Sequence, residues 1–322
     1  MQAMIQTTYG SADVMQLKDI AAPAIGPTDV LVRVRAAGVN PADWAIMHGL
    51  PYIARPVYGL RKPKVAVRGT DVAGVVEGIG SQVTRFQVGD EVFGWGTGSY
   101  AEYAAVGEDA LAPKPANLTF AEAASVPMAA LVALQALRDH GKVGPGSRVL
   151  INGASGGIGT FAVQIAKALG AEVTGVCSTG NLDLVRSIGA DHVIDYTTED
   201  FTSAGQRFDF ILDNVSNRSL TDLRKALTPT GMLVPNGGNF NNRWMASGGR
   251  IVRAAVLFSL GSQMLGNFLV AMRREDLETL AAMIEAGSVR PVMERTYPLH
   301  ELAGAMAHVG SGHTRGKVAI TV

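Results

Sequence analysis

The stretch Asn152-Gly-Ala-Ser-Gly-Gly-Ile-Gly159 concentrates small residues where a backbone can come close to an anion. It closes the short apolar run RVLING at 148–153. It also runs into IGTFAVQIAKALG, 158–170, whose apolar positions 158, 161, 162, 165, 166 and 169 have the spacing of one helical face. A glycine turn between a strand and a helix is the setting of a dinucleotide diphosphate site, because the free N–H groups of the first helical turn face the anion. The spacing here is Ala154-x-Gly156-x-x-Gly159, which assigns Gly153, Ala154, Ser155, Gly156, Gly157, Ile158 and Gly159 to cofactor binding. The same letters satisfy GxSxG, the nucleophile elbow of hydrolases, with Asp213 and His300 available downstream as acid and base. Gly159 completes the dinucleotide spacing and no HGGG-type oxyanion sequence lies upstream, so nucleotide binding is the expectation.

The next strand end bears on which nucleotide. An NAD site places an acid against the ribose hydroxyls about 20 residues after the glycines. Here that place reads Cys177-Ser178-Thr179-Gly180-Asn181, with no carboxylate. A carboxylate would repel a 2′-phosphate, whereas hydroxyls and an amide donate hydrogen bonds to it. Ser178, Thr179 and Asn181 are therefore assigned to the cofactor, and NADP (as NADPH) is expected. The alternative is that Ser178 and Thr179 cap the following helix.

Elements must hold these residues. The first third carries short β-like runs punctuated by glycine, VLVRVRAAGV (30–39), VAGVVEGIG (72–80), DEVFGWG (90–96) and SYAEYAAV (99–106), and reads as a compact, partly antiparallel β domain. From about residue 121 strands alternate with helices: RVLING, the helix at 158–170, EVTGVC (172–177), NLDLVRSIG (181–189), HVIDY (192–196), DFILDNV (209–215), SLTDLRKAL (219–227) and GMLVPNGG (231–238). That alternation predicts an α/β fold with a doubly wound parallel sheet of Rossmann type. The last segments, ending in GKVAITV, are β-like again and are expected to return to the first domain. The division expected is 1–122, 123–285 and 286–322.

Composition narrows the function. A chain of 322 residues is expected to form two domains, and 28 basic against 28 acidic residues leave no net charge to attract nucleic acid. The single cysteine, Cys177, excludes an intramolecular disulfide and any multi-cysteine metal site and suits a reducing compartment. The N-terminus lacks a secretory pattern, so a cytoplasmic location is expected. The histidines His48, His140, His192, His300, His308 and His313 show no HExxH or comparable ligand spacing. The stretch at 254–272 is uncharged and long enough to span a bilayer, but Gly261, Gln263, Gly266 and Asn267 interrupt it. It reads as a buried helix pair or a lid rather than a span.

Together GVNPADW (38–44), GTDVAGVVEGIG (69–80), VGDEVFG (88–94), AEYAAV (101–106), AASVPMAALVALQAL (123–137), SIGADHVIDY (187–196) and GHTRGKVAITV (312–322) resemble the zinc-independent medium-chain dehydrogenases/reductases. Within that superfamily the chain is similar to NADPH quinone oxidoreductases and enoyl reductases. The resemblance implies that the first domain is GroES-like and mainly β, and that the protein is a homodimer. Zinc members hold their metal with a cysteine near the first motif and a histidine–glutamate pair near the second; Asn40 and Thr70-Asp71 stand there, so no metal is expected. The resemblance further implies that Asn40 lies beside the nicotinamide, that Asp43 supports that loop, and that Pro127 begins the helix entering the cofactor domain. Val132 stands where the family often has a threonine facing the nicotinamide. Tyr196, with Arg315 or Lys317, is similar to family positions near the 2′-phosphate, and Asn214, Val215, Pro235 and Gly237 fall at strand ends facing the cofactor.

Without a Lewis acid the substrate must already be primed for hydride, which a quinone or an α,β-unsaturated carbonyl is. Tyr52 is the candidate proton donor, with lining of the cleft as its alternative role. The stretch 51–67 is longer and more basic than the resemblance leads one to expect, and with 254–272 it is expected to shape the substrate pocket. Two other readings stay open: an NADP-dependent alcohol or aldehyde oxidoreductase, and a redox-inactive NADPH-binding sensor.

Overall fold

The computed structural model describes residues 1–203, 205–237, 243–246, 248–259, 261–266 and 270–322. The chain forms two compact units, one of Met1–Leu131, Ala271–Gly287 and Pro291–Val322, the other of Val132–Val270 and Ser288–Arg290.

In the second unit Val149, Leu150, Ile151, Ile211, Leu212, Leu233 and Val234 are fully buried along their strands. Strands apolar on both faces need cover on both faces, which the crossover helices of a parallel sheet provide. Six strands accordingly form a wholly parallel sheet, in the order His192–Asp195, Glu172–Cys177, Arg148–Asn152, Phe208–Asp213, Leu227–Pro235 and Met264–Leu265. Counted along the chain this order is 3-2-1-4-5-6, so the winding reverses between Arg148–Asn152 and Phe208–Asp213. Ligands of such sheets bind outside the carboxyl ends of the strands at that reversal. The helix Gly157–Ala168 leaves the first strand there, with Gly159 to Ala166 buried. The expected doubly wound sheet is thus present.

The first unit is built on a seven-stranded mixed sheet. Its long strand Asp29–Val39 pairs antiparallel with Asp71–Ile79, Tyr103–Gly107 and the C-terminal Lys317–Thr321. Val30, Val32 and Val34 alternate into one apolar cluster with Val72, Val76, Val92 and Leu111, the period of two of a half-buried strand. The register places Gly38 opposite Asp71 and Val39 opposite Val318. Asn40, Asp71 and Lys317 therefore come to one end of the sheet.

Two sequence expectations change here. The helix Arg274–Glu285 packs in the first unit, although the expected division put it in the cofactor domain; Arg274 is paired with Asp109 at 2.6 Å and Glu278 with Arg85 at 2.8 Å. The described residues of the stretch 254–272 form one helix end and one short strand, not the expected helix pair. The helix Gly248–Phe258 ends inside it and the edge strand Met264–Leu265 follows. Gln263 ties the break down: its Nε2 donates to the carbonyls of Arg224 and Thr228 at 2.9 and 3.1 Å. Leu260 and Asn267–Leu269 of this stretch lie outside the described residues, as does Gly238 of the run at 231–238. No described helix is long and apolar enough to cross a membrane.

Candidate functional site

In the second unit the glycine turn is held by its neighbouring strand. The N–H groups of Gly153 and Ala154 both donate to the Val176 carbonyl, at 3.0 and 2.9 Å, and the Gly156 N–H donates to the Gly153 carbonyl at 3.1 Å. Gly153 has φ of +80°, a conformation that side chains rarely adopt. Gly159 is required by contact: a Cβ there would lie 2.1 Å from the Gly153 carbonyl oxygen. The helix then leaves the N–H groups of its first turn, at Gly157, Ile158 and Gly159, without helical partners and able to meet an anion.

The strand ends at the reversal carry a polar network. Asn152 Nδ2 donates to Asp213 Oδ1 at 2.8 Å and to Asn217 Oδ1 at 2.9 Å. Asp213, fully buried, also accepts from the Ser216 N–H at 2.9 Å and pairs with Arg250 at 3.1 Å. Its carbonyl accepts from Asn236 and Gly237, both at 2.8 Å, which brings Gly237 and the neighbouring Pro235 to Asn214 and Val215. Asn214 accepts from Asn236 Nδ2 at 2.7 Å, while its own Nδ2 is buried without a partner. A buried orphan donor beside a glycine cradle fits a bound nucleotide, because such a group costs free energy until something pairs with it.

Ser155, Ser178 and Asn181 are drawn together, with Asn181 Nδ2 donating to Ser155 Oγ at 3.1 Å and to Ser178 Oγ at 3.2 Å. The bond partners of Ser155 and Asp213 do not form a hydrolase triad. Tyr196 is half exposed, and its N–H reaches the Cys177 carbonyl at 3.1 Å. Burial pushes the Cys177 thiol up to about 11. Thr179 needs correction as a phosphate donor, since its hydroxyl donates to Asp195 Oδ2 at 2.6 Å. Asp195 is a carboxylate that the strand-end rule missed, because it comes from the following strand. The hydroxyls of Thr179 and Thr197 hold its pKa below the usual range.

In the first unit Asn40 lies at the centre of a buried cluster. Its Nδ2 donates to Asp71 Oδ2 at 2.9 Å and its Oδ1 accepts from Lys317 Nζ at 2.6 Å. The Asn40 backbone N–H donates to Asp43 Oδ2 at 2.9 Å, which fixes the entry to the helix Pro41–Met47. Asp71 Oδ1 accepts from the Met128 N–H at 3.2 Å, anchoring the first turn of the helix Pro127–Leu134. Thr70 donates to Asp43 Oδ1 at 3.4 Å. Lys317 is thus corrected as a phosphate ligand: it is 3% exposed, in the sheet, and its ammonium is spent on Asn40. Arg315 is exposed, with its backbone N–H bonded to Glu294 at 3.0 Å. Among the described residues no three His, Cys, Asp or Glu side chains gather as a metal site.

Tyr52 is half-buried, with the Arg55 guanidinium 4.5 Å from its ring centre and 4.8 Å from that of Tyr9. Arg68 was not singled out by the sequence. Its Nε and Nη2 are buried without partners, and Tyr9, Asp43 and Tyr58 act on its charge. A basic residue directly before the GTDVAG motif was the available signal.

Burial dominates the electrostatics of the Asn40 cluster. It raises Asp43, and it raises Asp71 to about 6 even though Lys317 and Asn40 pull Asp71 down. Between 3.8 and about 6 the folded chain keeps the Asp71 proton that an unfolded chain releases, so folding takes up a proton in that window. The contribution of this group is therefore fully present below the unfolded value and is lost as pH rises through about 6. Asp71→Asn should remove that component, seen as a changed slope of Tm against pH between about 4 and 6; an unchanged slope would refute the assignment.

Two protein families match the chain. The alcohol dehydrogenase GroES-like domain family matches residues 26–116, and the zinc-binding dehydrogenase family matches 188–320. The mitochondrial NAD(P)H oxidoreductase RTN4IP1 of Mus musculus is 36% identical, spanning 100% of this chain and 89% of the relative. The 2-methylene-furan-3-one reductase of Solanum lycopersicum is 34% identical over 99% of this chain and 79% of its own. Among solved structures, the quinone oxidoreductase of Coxiella burnetii superposes with a TM-score of 0.88, at 29% identity, over 100% of this chain and 99% of its own. The expected cytoplasmic location is corrected by these relatives, since the mouse protein is named as mitochondrial and related plant quinone oxidoreductases as chloroplastic. A single buried cysteine does not separate one thiol-preserving compartment from another. The chain belongs to the medium-chain dehydrogenase/reductase superfamily, as an oxidoreductase that works with a nicotinamide cofactor.

Proposed function

We propose that the protein is a zinc-independent reductase of quinones or α,β-unsaturated carbonyls that uses NADPH. The observation that carries this reading is the Asn40 cluster, where a carboxamide held by Asp71 and Lys317 stands at the position zinc members give to a metal ligand. When bound, NADPH would supply the hydride, from its nicotinamide C4, to the electron-poor carbon of the acceptor, whose displaced electron pair would move onto the carbonyl oxygen. The protein's part is to hold that oxygen and return a proton to it. The free N–H of Asn40 donates to the developing oxyanion, Asp43 keeps the Asn40 loop in place, and Tyr52 donates the proton.

In the second unit the N–H groups at Gly157 to Gly159 hold the diphosphate, and Asn214 Nδ2 finds its partner on the bound cofactor. Ser178, Asn181 and Tyr196 are the side chains that favour a 2′-phosphate, against the opposing charge of Asp195. The NAD(P)H oxidoreductase, enone reductase and quinone oxidoreductase relatives support the acceptor class. A homodimer belongs to the same reading, supported by the exposed apolar row Ile251, Val252 and Val256 on the helix Gly248–Phe258.

The test is NADPH oxidation by purified protein in the presence of a chelator, with quinones, enones, enoyl thioesters, aldehydes and alcohols compared. Turnover with quinones or enones, at higher kcat/KM for NADPH than for NADH, is expected. Tyr52→Phe should lower kcat and leave NADPH affinity unchanged. Alcohol-dependent reduction of NADP, or no turnover with any acceptor, would replace this reading with one of the two alternatives.

A further inference from the structure

We propose that Lys317 is a positioning residue for this reaction, locking the Asn40 carboxamide in the one orientation that offers an N–H to the substrate oxygen and placing a positive charge behind it. The inference rests on the role given to Asn40 above.

An amide has an acceptor oxygen and two N–H donors, an ammonium can only donate, and a carboxylate only accepts. With Lys317 Nζ at 2.6 Å from Oδ1 and Asp71 Oδ2 at 2.9 Å from Nδ2, rotating the amide by half a turn would set N–H groups against the ammonium and an oxygen against the carboxylate. Both contacts would then be repulsive. One orientation survives, and it leaves one N–H of Nδ2 uncommitted.

Keeping a lysine here is costly. Lys317 is almost wholly buried, and desolvation lowers its pKa while Asp71 and Asp43 support the charge. A buried ion pair is often no more stabilising than apolar residues of the same volume. The strand Lys317–Thr321 would hold its place with an apolar residue at 317, since Val318, Ala319 and Ile320 already fill the core. Removing the ammonium frees the amide to rotate and strips the positive charge from behind it.

The test uses Lys317→Met, Asn40→Ala and the charge-neutral double variant Asp71→Asn/Lys317→Met, with 1,4-benzoquinone as acceptor. Lys317→Met should lower kcat by about 10- to 100-fold, the usual range for a supporting residue, with NADPH Kd unchanged within about twofold. The double variant should regain thermal stability without regaining kcat. Lys317→Met should add little in an Asn40→Ala background, because residues acting through one another are not additive. Recovery of kcat together with Tm, full additivity, or a loss confined to NADPH affinity would each overturn the proposal. The side-chain 15N–1H pair of Asn40, assigned by its loss in Asn40→Ala, should shift in Lys317→Met, and an unmoved pair would also overturn it. That resonance is read without turnover, so an inactive wild-type protein would defeat the proposed function while the locking of the Asn40 amide by Lys317 was still decided.

Discussion

Asn40→Ala is expected to lower kcat by about 10²- to 10³-fold, the effect of deleting one donor to a developing oxyanion. NADPH affinity should stay close to that of the wild type, because the N–H groups assigned to the diphosphate belong to the second unit and Asn40 to the first. The substitution also leaves Lys317 and Asp71 without the group that joins them, so a lowered Tm accompanies the kinetic loss. The two effects are separable. Asn40→Gln keeps the amide on a longer stem and should recover stability more fully than turnover, since an amide displaced by about 1 Å no longer meets the reacting oxygen. Stopped-flow kinetics with thermal melts reads both, and an Asn40→Ala protein of undiminished kcat would remove Asn40 from the reaction.

The second large effect concerns the cradle. Gly159→Ala puts a Cβ 2.1 Å from the Gly153 carbonyl oxygen and 2.8 Å from Ala154 Cα, both backbone atoms that no rotamer change can move aside. The turn must open, and the N–H groups that meet the diphosphate move with it. A displacement of that kind should weaken NADPH binding by about 10²-fold, read by cofactor fluorescence. Gly144→Ala, where an added Cβ meets nothing within 4 Å, is the control expected to bind normally. Unchanged affinity in Gly159→Ala would mean that the turn is not the nucleotide site.

The glycine turn was legible because its causes are local. A strand, a positive-φ glycine, a close contact six residues on and an amphipathic helix all fall within 148–170. The sheet was legible for a similar reason, since each βαβ unit repeats its pattern at short range. What stayed hidden depends on register. Lys317 and Asn40 are 277 residues apart, and only the pairing of Val318 with Val39 brings them together. Asp195 shows the same limit, for it reaches Thr179 from a neighbouring strand of the parallel sheet. The apolar stretch at 254–272 misled because hydropathy does not register that Gln263, beyond the helix Gly248–Phe258, spends its amide on the carbonyls of 224–228. Arg68 carries no periodic signal, and only the packing around Tyr9 and Asp43 reveals its unpartnered nitrogens.

The most direct measurement is the fate of the hydride. Metal-depleted protein incubated with NADPH carrying deuterium at C4 and an acyclic enone should place the label on the β-carbon of a saturated ketone. Label on the carbonyl carbon of an allylic alcohol, or turnover that disappears with the metal and returns with zinc, would contradict the account.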